Sequence, residues 1–340
     1  MISALLLLLF TQSPSTESRD VSPRSTVTVN GTESVAELFN KLNQTGNVVT
    51  DQRDEYQRQQ TVATKLPAGT YTFWQTLDLL SAAAELEFTT SNDGVKLRTR
   101  TGAVKPIVAY DGPWRARLVR RSVLAYENPA LDRLLVQIEL TLEPRMVPVL
   151  ATLDAKSMSP QSNSPHPQPL SPEGRGVRYP FDGEPTKLIE VRLPRPARQQ
   201  TTIDKLELVG DSWLSTGRLK MSIPVRVQAN AELEGTRFSI TQLFSNANTT
   251  TVATELLYPE GSFDWESHQS SLLQSMKLML RQGNSEQQYR SREINTDAGR
   301  RTTARWQFPK VTGEWQAHLN APTAPVKLPM KLVFEKVELP

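Results

Sequence analysis

The chain has no cysteine and only three histidines among 340 residues. Without thiols it can form no disulfide, no zinc–thiolate centre, no thiol nucleophile and no lipid-bearing cysteine. No pair among His166, His268 and His318 has a metal-ligand motif spacing, and no HExxH or EF-hand pattern accompanies them. A Walker loop and a GxGxxG turn are missing too, so nothing signals a nucleotide cofactor. Charge of one sign is also scarce: 39 cationic residues nearly balance 36 anionic ones, for a formal net charge of +3. Despite a pI near 9.0, broad attraction to nucleic acid or an anionic membrane is not implied. These absences leave no catalytic, cofactor-binding or metal-binding residue to assign, and no cofactor or nucleic-acid partner is expected.

Long hydrophobic runs are scarce as well. The clearest is Ile2 to Phe10 in "MISALLLLLFTQSPS", far below the roughly 20 residues of a membrane-spanning helix. Ser13 and Ser15 follow at positions that suit cleavage after Ser15. The pattern reads as a secretory signal peptide over residues 1–15, although the basic residues that usually open one are missing. The expected location is therefore the periplasm or cell envelope of a bacterium, with membrane contact only through the transient signal. Cysteine-free export suits a bacterial envelope better than a small disulfide scaffold.

Apolar residues make up 38% of the chain and charged ones 22%, a balance able to build real cores. The length suits two or three domains. Residues 16–26 read as a linker, and "STVTVNG" then alternates like a strand. Ser34 and Glu37 have capping-box spacing. Val35, Leu38, Phe39 and Leu42 form one apolar helical stripe, and Gly46 supplies the left-handed residue that ends it. A second helix starts near Thr72 with Gln75 at the same spacing and carries Phe73, Leu77, Leu80 and Ala84 as its stripe. "LEFTTSNDGVKLRTR" is a hairpin turning at Asn92-Asp93-Gly94.

Strand, helix, two strands, helix and hairpin thus follow one another over residues 27–101. The segments "VTVNGTESVAELFNKLNQTGNVV" and "TKLPAGTYTFWQTLDLLSAAAELEFTTSNDGVKLR" resemble the short N-terminal domain of secretins and TonB-dependent receptors, known as STN. The resemblance covers under a quarter of the chain and rests on pattern rather than a signature residue. It implies an α+β fold and a role in protein–protein contact. The charged "TDQRDEYQRQQ" departs from the family's usual short connection.

After Val104 the helical pattern gives way to strand-like runs broken by Pro, Gly, Asn and Asp: "WRARLVRRSVLAY", "RLLVQIELTLEP", "TKLIEVRLP", "TIDKLELVGDSWL" and "RLKMSIPVRVQ". A second series begins at Ala229 and closes with "VKLPMKLVFEKVEL". The expectation is tandem antiparallel Ig-like β-sandwiches over 104–228 and 229–340. This region resembles uncharacterised exported proteins of planctomycete-type bacteria in "GPWRARLVRRSVLAY", "LEPRMVPVL" and "MKLVFEKVELP", which implies a location and an architecture but no activity. Residues 157–178 read as a disordered insert, dense in Pro, Ser, Gln and Gly. Their "SPHPQPLSPEGRG" resembles a peptide translated from a repetitive DNA element, and His166 within it is read as solvated.

Gly210-Asp211-Ser212-Trp213 matches the nucleophile block of SGNH-type esterases, which would make Ser212 a nucleophile needing a histidine base and an aspartate. In that family the partners form an Asp-x-x-His block, whereas Asp264 and His268 are one residue too far apart, and turn chemistry between strands explains the glycine and aspartate more simply. Arg115, Arg117, Arg120 and Arg121 beside Trp114 suit either an anionic partner or a solvated strand face; the small net charge favours the latter. Asp51, Asp54 and Glu55 read as a solvated mixed-charge face. Trp265, Trp306 and Trp315 could line a glycan site, but buried sandwich tryptophans are commoner. The expected function is a non-catalytic envelope binding or scaffolding protein that engages envelope proteins through the STN-like domain. The alternatives are an esterase-like hydrolase using Ser212, a carbohydrate-binding protein or a secretin-like channel component.

Overall fold

The computed structural model describes residues 24–53, 66–91, 93–102, 106–127, 132–158, 177–181, 184–194, 201–259, 273, 275–296 and 300–340. The expected signal peptide and most of the expected 16–26 linker lie outside these residues, as do Asp54, Glu55, Asn92, His166, Asp264, Trp265 and His268. Among the described residues no helix is long and apolar enough to cross a membrane.

The N-terminal α+β unit runs β1 (Thr26–Val29), α1 (Val35–Gln44), β2 (Val49–Asp51), β3 (Gly69–Thr72), α2 (Phe73–Ala83), β4 (Leu86–Ser91) and β5 (Gly94–Thr99). β1 pairs with β3, while β5 takes β2 in parallel and β4 antiparallel. Both capping boxes form. The Glu37 N–H donates to Ser34 Oγ at 3.2 Å and the Ser34 N–H returns to Glu37 Oε2 at 2.7 Å. The Gln75 N–H donates to Thr72 Oγ1 at 3.3 Å and the Thr72 N–H to Gln75 Oε1 at 3.0 Å. Each box satisfies two N–H groups that helix geometry leaves without partners. Gly46 follows α1 at φ +84°, the conformation that favours glycine. Val35, Leu38 and Leu42 of α1 meet Phe73, Trp74, Leu77 and Leu80 of α2 in one core with strands from both sheets. Two details of the expected stripes change. Phe39 is half-buried, and Ala84 is the C-cap of α2, while Trp74 enters the core instead.

The next strands are β6 (Ile107–Asp111), β7 (Trp114–Leu124), β8 (Arg133–Leu142), β9 (Val147–Met158), β10 (Val177–Pro180), β11 (Thr186–Pro194) and β12 (Thr202–Ser215). Then come β13 (Arg218–Pro224), β14 (Asn230–Leu233), β15 (Thr236–Ser245), β16 (Thr249–Leu257), β17 (Lys277–Gln282), β18 (Ser285–Gln288), β19 (Ser291–Thr296), β20 (Arg301–Pro309), β21 (Gln316–Pro322) and β22 (Pro325–Glu338). Sheets β11-β8-β7-β6 and β10-β9-β12-β22 enclose one core that includes Trp114, Ile138, Leu140, Leu206, Leu208 and Phe334. Sheets β13-β21-β17-β18 and β14-β15-β16-β20-β19 enclose another that includes Met221, Phe238, Val252, Leu278, Trp306 and Leu319. Both have the face-to-face arrangement of a sandwich. Apolar residues alternate inward, as in β13, where Leu219, Met221 and Ile223 are buried between exposed neighbours.

The sandwiches are nested rather than consecutive, which corrects the expected division at 228/229. β13 pairs with β21 in the second sandwich, and β22 returns to pair with β12 along the first. Hydrophobic alternation identifies strands without saying which sheet each joins. The insert is also shorter than 157–178. Ser157 and Met158 pair with Leu206 and Lys205, and Val177 and Arg178 pair with Leu153 and Thr152. The remainder of the insert lies outside the described residues. The run "EQQYRSREINT" divides into β18 and β19, one in each sheet of the second sandwich.

Candidate functional site

Ser212 lies in the middle of β12, not in a turn before a strand. Its side chain is fully buried; its oxygen accepts from Trp114 Nε1 at 3.0 Å and its hydroxyl donates to the Leu328 carbonyl at 3.3 Å. This hydroxyl satisfies the indole of a core tryptophan. Gly210 is needed for close packing of strands rather than for a turn. A Cβ there would stand 1.9 Å from the Thr152 carbonyl oxygen of β9.

Arg115 corrects the solvated-face expectation. Its guanidinium, only 4% exposed, grips Asp78 of α2 through Nε at 2.7 Å and a second nitrogen at 3.0 Å. Tyr110 donates to the same carboxylate at 2.6 Å, and Arg115 sits 4.9 Å above the Phe88 ring. Burial, followed by the Asp78 charge, pushes the Tyr110 hydroxyl well above its ordinary pKa, so it stays a donor. Arg117 pairs with Glu139 at 2.9 Å and Arg121 donates to the Glu338 carbonyl, while Arg120 is exposed.

A second polar cluster joins the same two units. Glu143, fully buried after β8, accepts from Ser25 N at 3.1 Å, Ser25 Oγ at 2.6 Å, Asn47 Nδ2 at 3.3 Å and Arg145 Nε at 2.9 Å. Trp74 Nε1 adds a bond to the Pro113 carbonyl at 3.0 Å. Ser25, read from sequence as the junction of linker and first strand, is therefore an anchoring residue, and the N-terminal unit is bolted to the first sandwich. A buried carboxylate is costly without such partners. Sequence reasoning missed Ser25, Asn47, Asp78 and Glu143 because no local pattern marks residues that meet across more than 30 positions.

The other sequence candidates have structural roles. Asp51 pairs with the nearly buried Arg53 at 2.7 Å, so it is no solvated charge. Trp306 and Trp315 are buried, with Nε1 groups bonded to Thr254 Oγ1 at 2.9 Å and the Thr312 carbonyl at 3.0 Å, so neither is available to stack on a glycan. His318 lies on β21, and partial burial together with the nearby Arg281 charge lowers its pKa. No group of three His, Asp or Glu residues among those described could hold a metal ion.

An open strand edge is the feature best built for contact. Ser25 O accepts from the Phe73 N–H at 3.1 Å, which fixes the phase of the β1–β3 ladder. In an antiparallel ladder the backbone direction alternates, so Val27 and Val29 face β3 while Thr26 and Thr28 face away. Lys41 Nζ from α1 reaches the outward Thr28 carbonyl at 2.8 Å and Glu33 at 2.6 Å. Glu33 also accepts from the Asn30 and Gly31 N–H groups at 2.7 and 3.0 Å. The Lys41 and Asn30 bonds, in that order, hold the Glu33 carboxyl down at a pKa of about 2. Between this edge and α1 lies a groove of about 400 Å³ lined by Thr26, Val27, Thr28, Asn30, Lys41, Gln44 and Thr45. Three other edges, those of β22, β11 and β13, are guarded. The Lys331 N–H on β22 donates to Asp111 at 2.6 Å, Tyr179 donates to the Glu190 carbonyl on β11 at 3.2 Å, and β13 carries Lys220 and Pro224.

Compared with known protein families, with curated proteins and with solved structures, the chain shows no match.

Proposed function

We propose that the chain is a non-catalytic, exported binding or scaffolding protein of the bacterial cell envelope. In this reading it engages another envelope protein by taking one of that protein's strands onto the open edge of β1. The observation that carries the reading is the pair of outward-facing backbone positions, Thr26 and Thr28, beside a groove with a polar helical wall. An added strand would satisfy the Thr26 backbone groups and the Thr28 N–H, while Lys41 already holds the Thr28 carbonyl, and side chains along the groove would select it. The resemblance of this unit to STN domains points to the same use by analogy. The apolar run at residues 2–10 supports export, and the buried, doubly bonded Ser212 supports a role other than hydrolysis.

The test uses the full chain. Thr28→Pro removes an outward N–H while sparing the ladder to β3, a position where an edge strand tolerates proline. In pull-downs from envelope extract of the native host, proteins retained by the wild type should be lost with Thr28→Pro and kept with Arg120→Ala. An unchanged set of retained proteins, with the variant melting like wild type, would overturn the proposal.

A further inference from the structure

The outer face of the five-stranded sheet in the second sandwich carries a hollow that none of these roles uses. Cross-strand register places Gln242, Ala253, Arg305 and Glu293 in one row, and Phe244, Thr251, Gln307 and Ser291 in the next. Both rows point away from the core, because the alternating residues Leu243, Val252 and Trp306 pack inward. Ala253 is the shortest side chain of its row, so the surface dips there. The depression, about 340 Å³, is bordered by Gln242, Asn295, Thr303 and Arg305.

Three properties of this face define what would fit it. Phe244 is 59% exposed, an unusual position for a phenylalanine, and stands one row beyond Gln242 and Ala253, on the side away from Thr303 and Asn295. Gln242, Asn295 and Arg305 have no hydrogen-bond or ion-pair partner among the described residues, so their amides and guanidinium are available. The charges cancel: Arg237, Arg301 and Arg305 share the face with Glu232, Glu255 and Glu293, and Arg301 is already paired with Glu255 at 2.7 Å.

We propose that this face binds a neutral polysaccharide. The C–H face of one sugar stacks on Phe244. The hydroxyls of the next sugar meet Gln242 and Arg305 over Ala253, and those of the one after it meet Thr303 and Asn295 in the following row. Sugar hydroxyls donate and accept, and so do amide and threonine side chains, while an arginine fork offers several donors at once. Residues two apart on a strand are about 7 Å apart, which lets the ring and the hollow serve neighbouring units of one chain. An anionic polymer would match a net positive face rather than a balanced one. An apolar peptide would match an apolar floor in place of amides. The site is on a different domain from the β1 groove, so the two ideas fail separately.

The test is affinity electrophoresis of the full chain through gels containing xylan, galactomannan, mixed-linkage β-glucan or polygalacturonate. At least one neutral polymer should retard the wild type. Phe244→Ala and Arg305→Ala should each weaken that retardation tenfold or more, and polygalacturonate should leave mobility unchanged. Ala253→Leu fills the hollow and provides an independent variant if Phe244→Ala melts early. Mobility unaffected by every neutral polymer, retention of full retardation by both Phe244→Ala and Ala253→Leu, or retardation by polygalacturonate alone would overturn the proposal.

Discussion

At Gly210 the β9 backbone passes so close that a methyl group would stand 1.9 Å from the Thr152 oxygen and 2.9 Å from its carbonyl carbon. Both atoms are backbone within a paired sheet, so neither can swing aside. Gly210→Ala should therefore cost about 3 kcal/mol of unfolding free energy through forced separation of β9 and β12. Urea denaturation measures this, with Gly102→Ala as the control, since nothing lies within 4 Å of a Cβ there. A loss of only a few tenths at Gly210 would show that the sheet relaxes easily. The same tetrapeptide shows what one residue's neighbours in sequence conceal. Gly-Asp-Ser is read more simply as turn chemistry than as an esterase block, and the partners of the Ser212 hydroxyl, the Trp114 indole and the Leu328 carbonyl, lie 98 and 116 positions away. Arg115 is a similar case: strand alternation gives its direction, but not that Asp78 and Phe88 wait there.

Among elements, those built from near neighbours were legible in the sequence. Both helices begin at the expected caps because a capping box needs only four consecutive positions. β6, β9 and β10 lie outside the strand-like runs that alternation marks. Alternation detects a strand, but pairing partners a hundred residues apart decide where it ends. The β9–β10 hairpin carries a further prediction. Replacing residues 159–176 with a linker of about eight Gly and Ser residues should shift the melting temperature by about 2 °C or less, since loop length enters stability only logarithmically. Fusing Met158 directly to Val177 should unfold the hairpin. Val177 pairs with Leu153, five residues back from Met158, leaving a gap of about 17 Å to cross. Scanning calorimetry of both variants decides; a large fall with the linker would mean the loop packs against the sandwich.

For the whole molecule, the consequential fact is that β22 completes the first sandwich after the second has been inserted. It supplies Met330, Leu332, Phe334 and Val337 to the core of the first. Their burial contributes on the order of 10 kcal/mol, comparable with the net stability of an entire domain. A chain stopped after Pro322 should therefore lose amide protection in β7 and β8 while β15, β16 and β20 stay protected. Replacing residues 216–324, which hold all of β13 to β21, by an Asn-Gly turn should leave β7 and β8 protected, because Ser215 and Pro325 are already paired across the junction. Hydrogen exchange on the two chains reads the outcome directly. Protection of β7 and β8 in the first chain would mean that the first sandwich closes without β22.

The nesting also sets an order in time. A chain emerging from the ribosome presents β6 to β12 first, yet their sheet lacks β22 until the whole inserted sandwich has been made. The inserted sandwich has all its strands earlier, and it should fold first. Until β22 arrives, the outer edge of β12 and the apolar core residues beneath it stay open to other chains. That interval, more than the finished molecule, is when the protein is most exposed to aggregation, and when a chaperone would have most to hold.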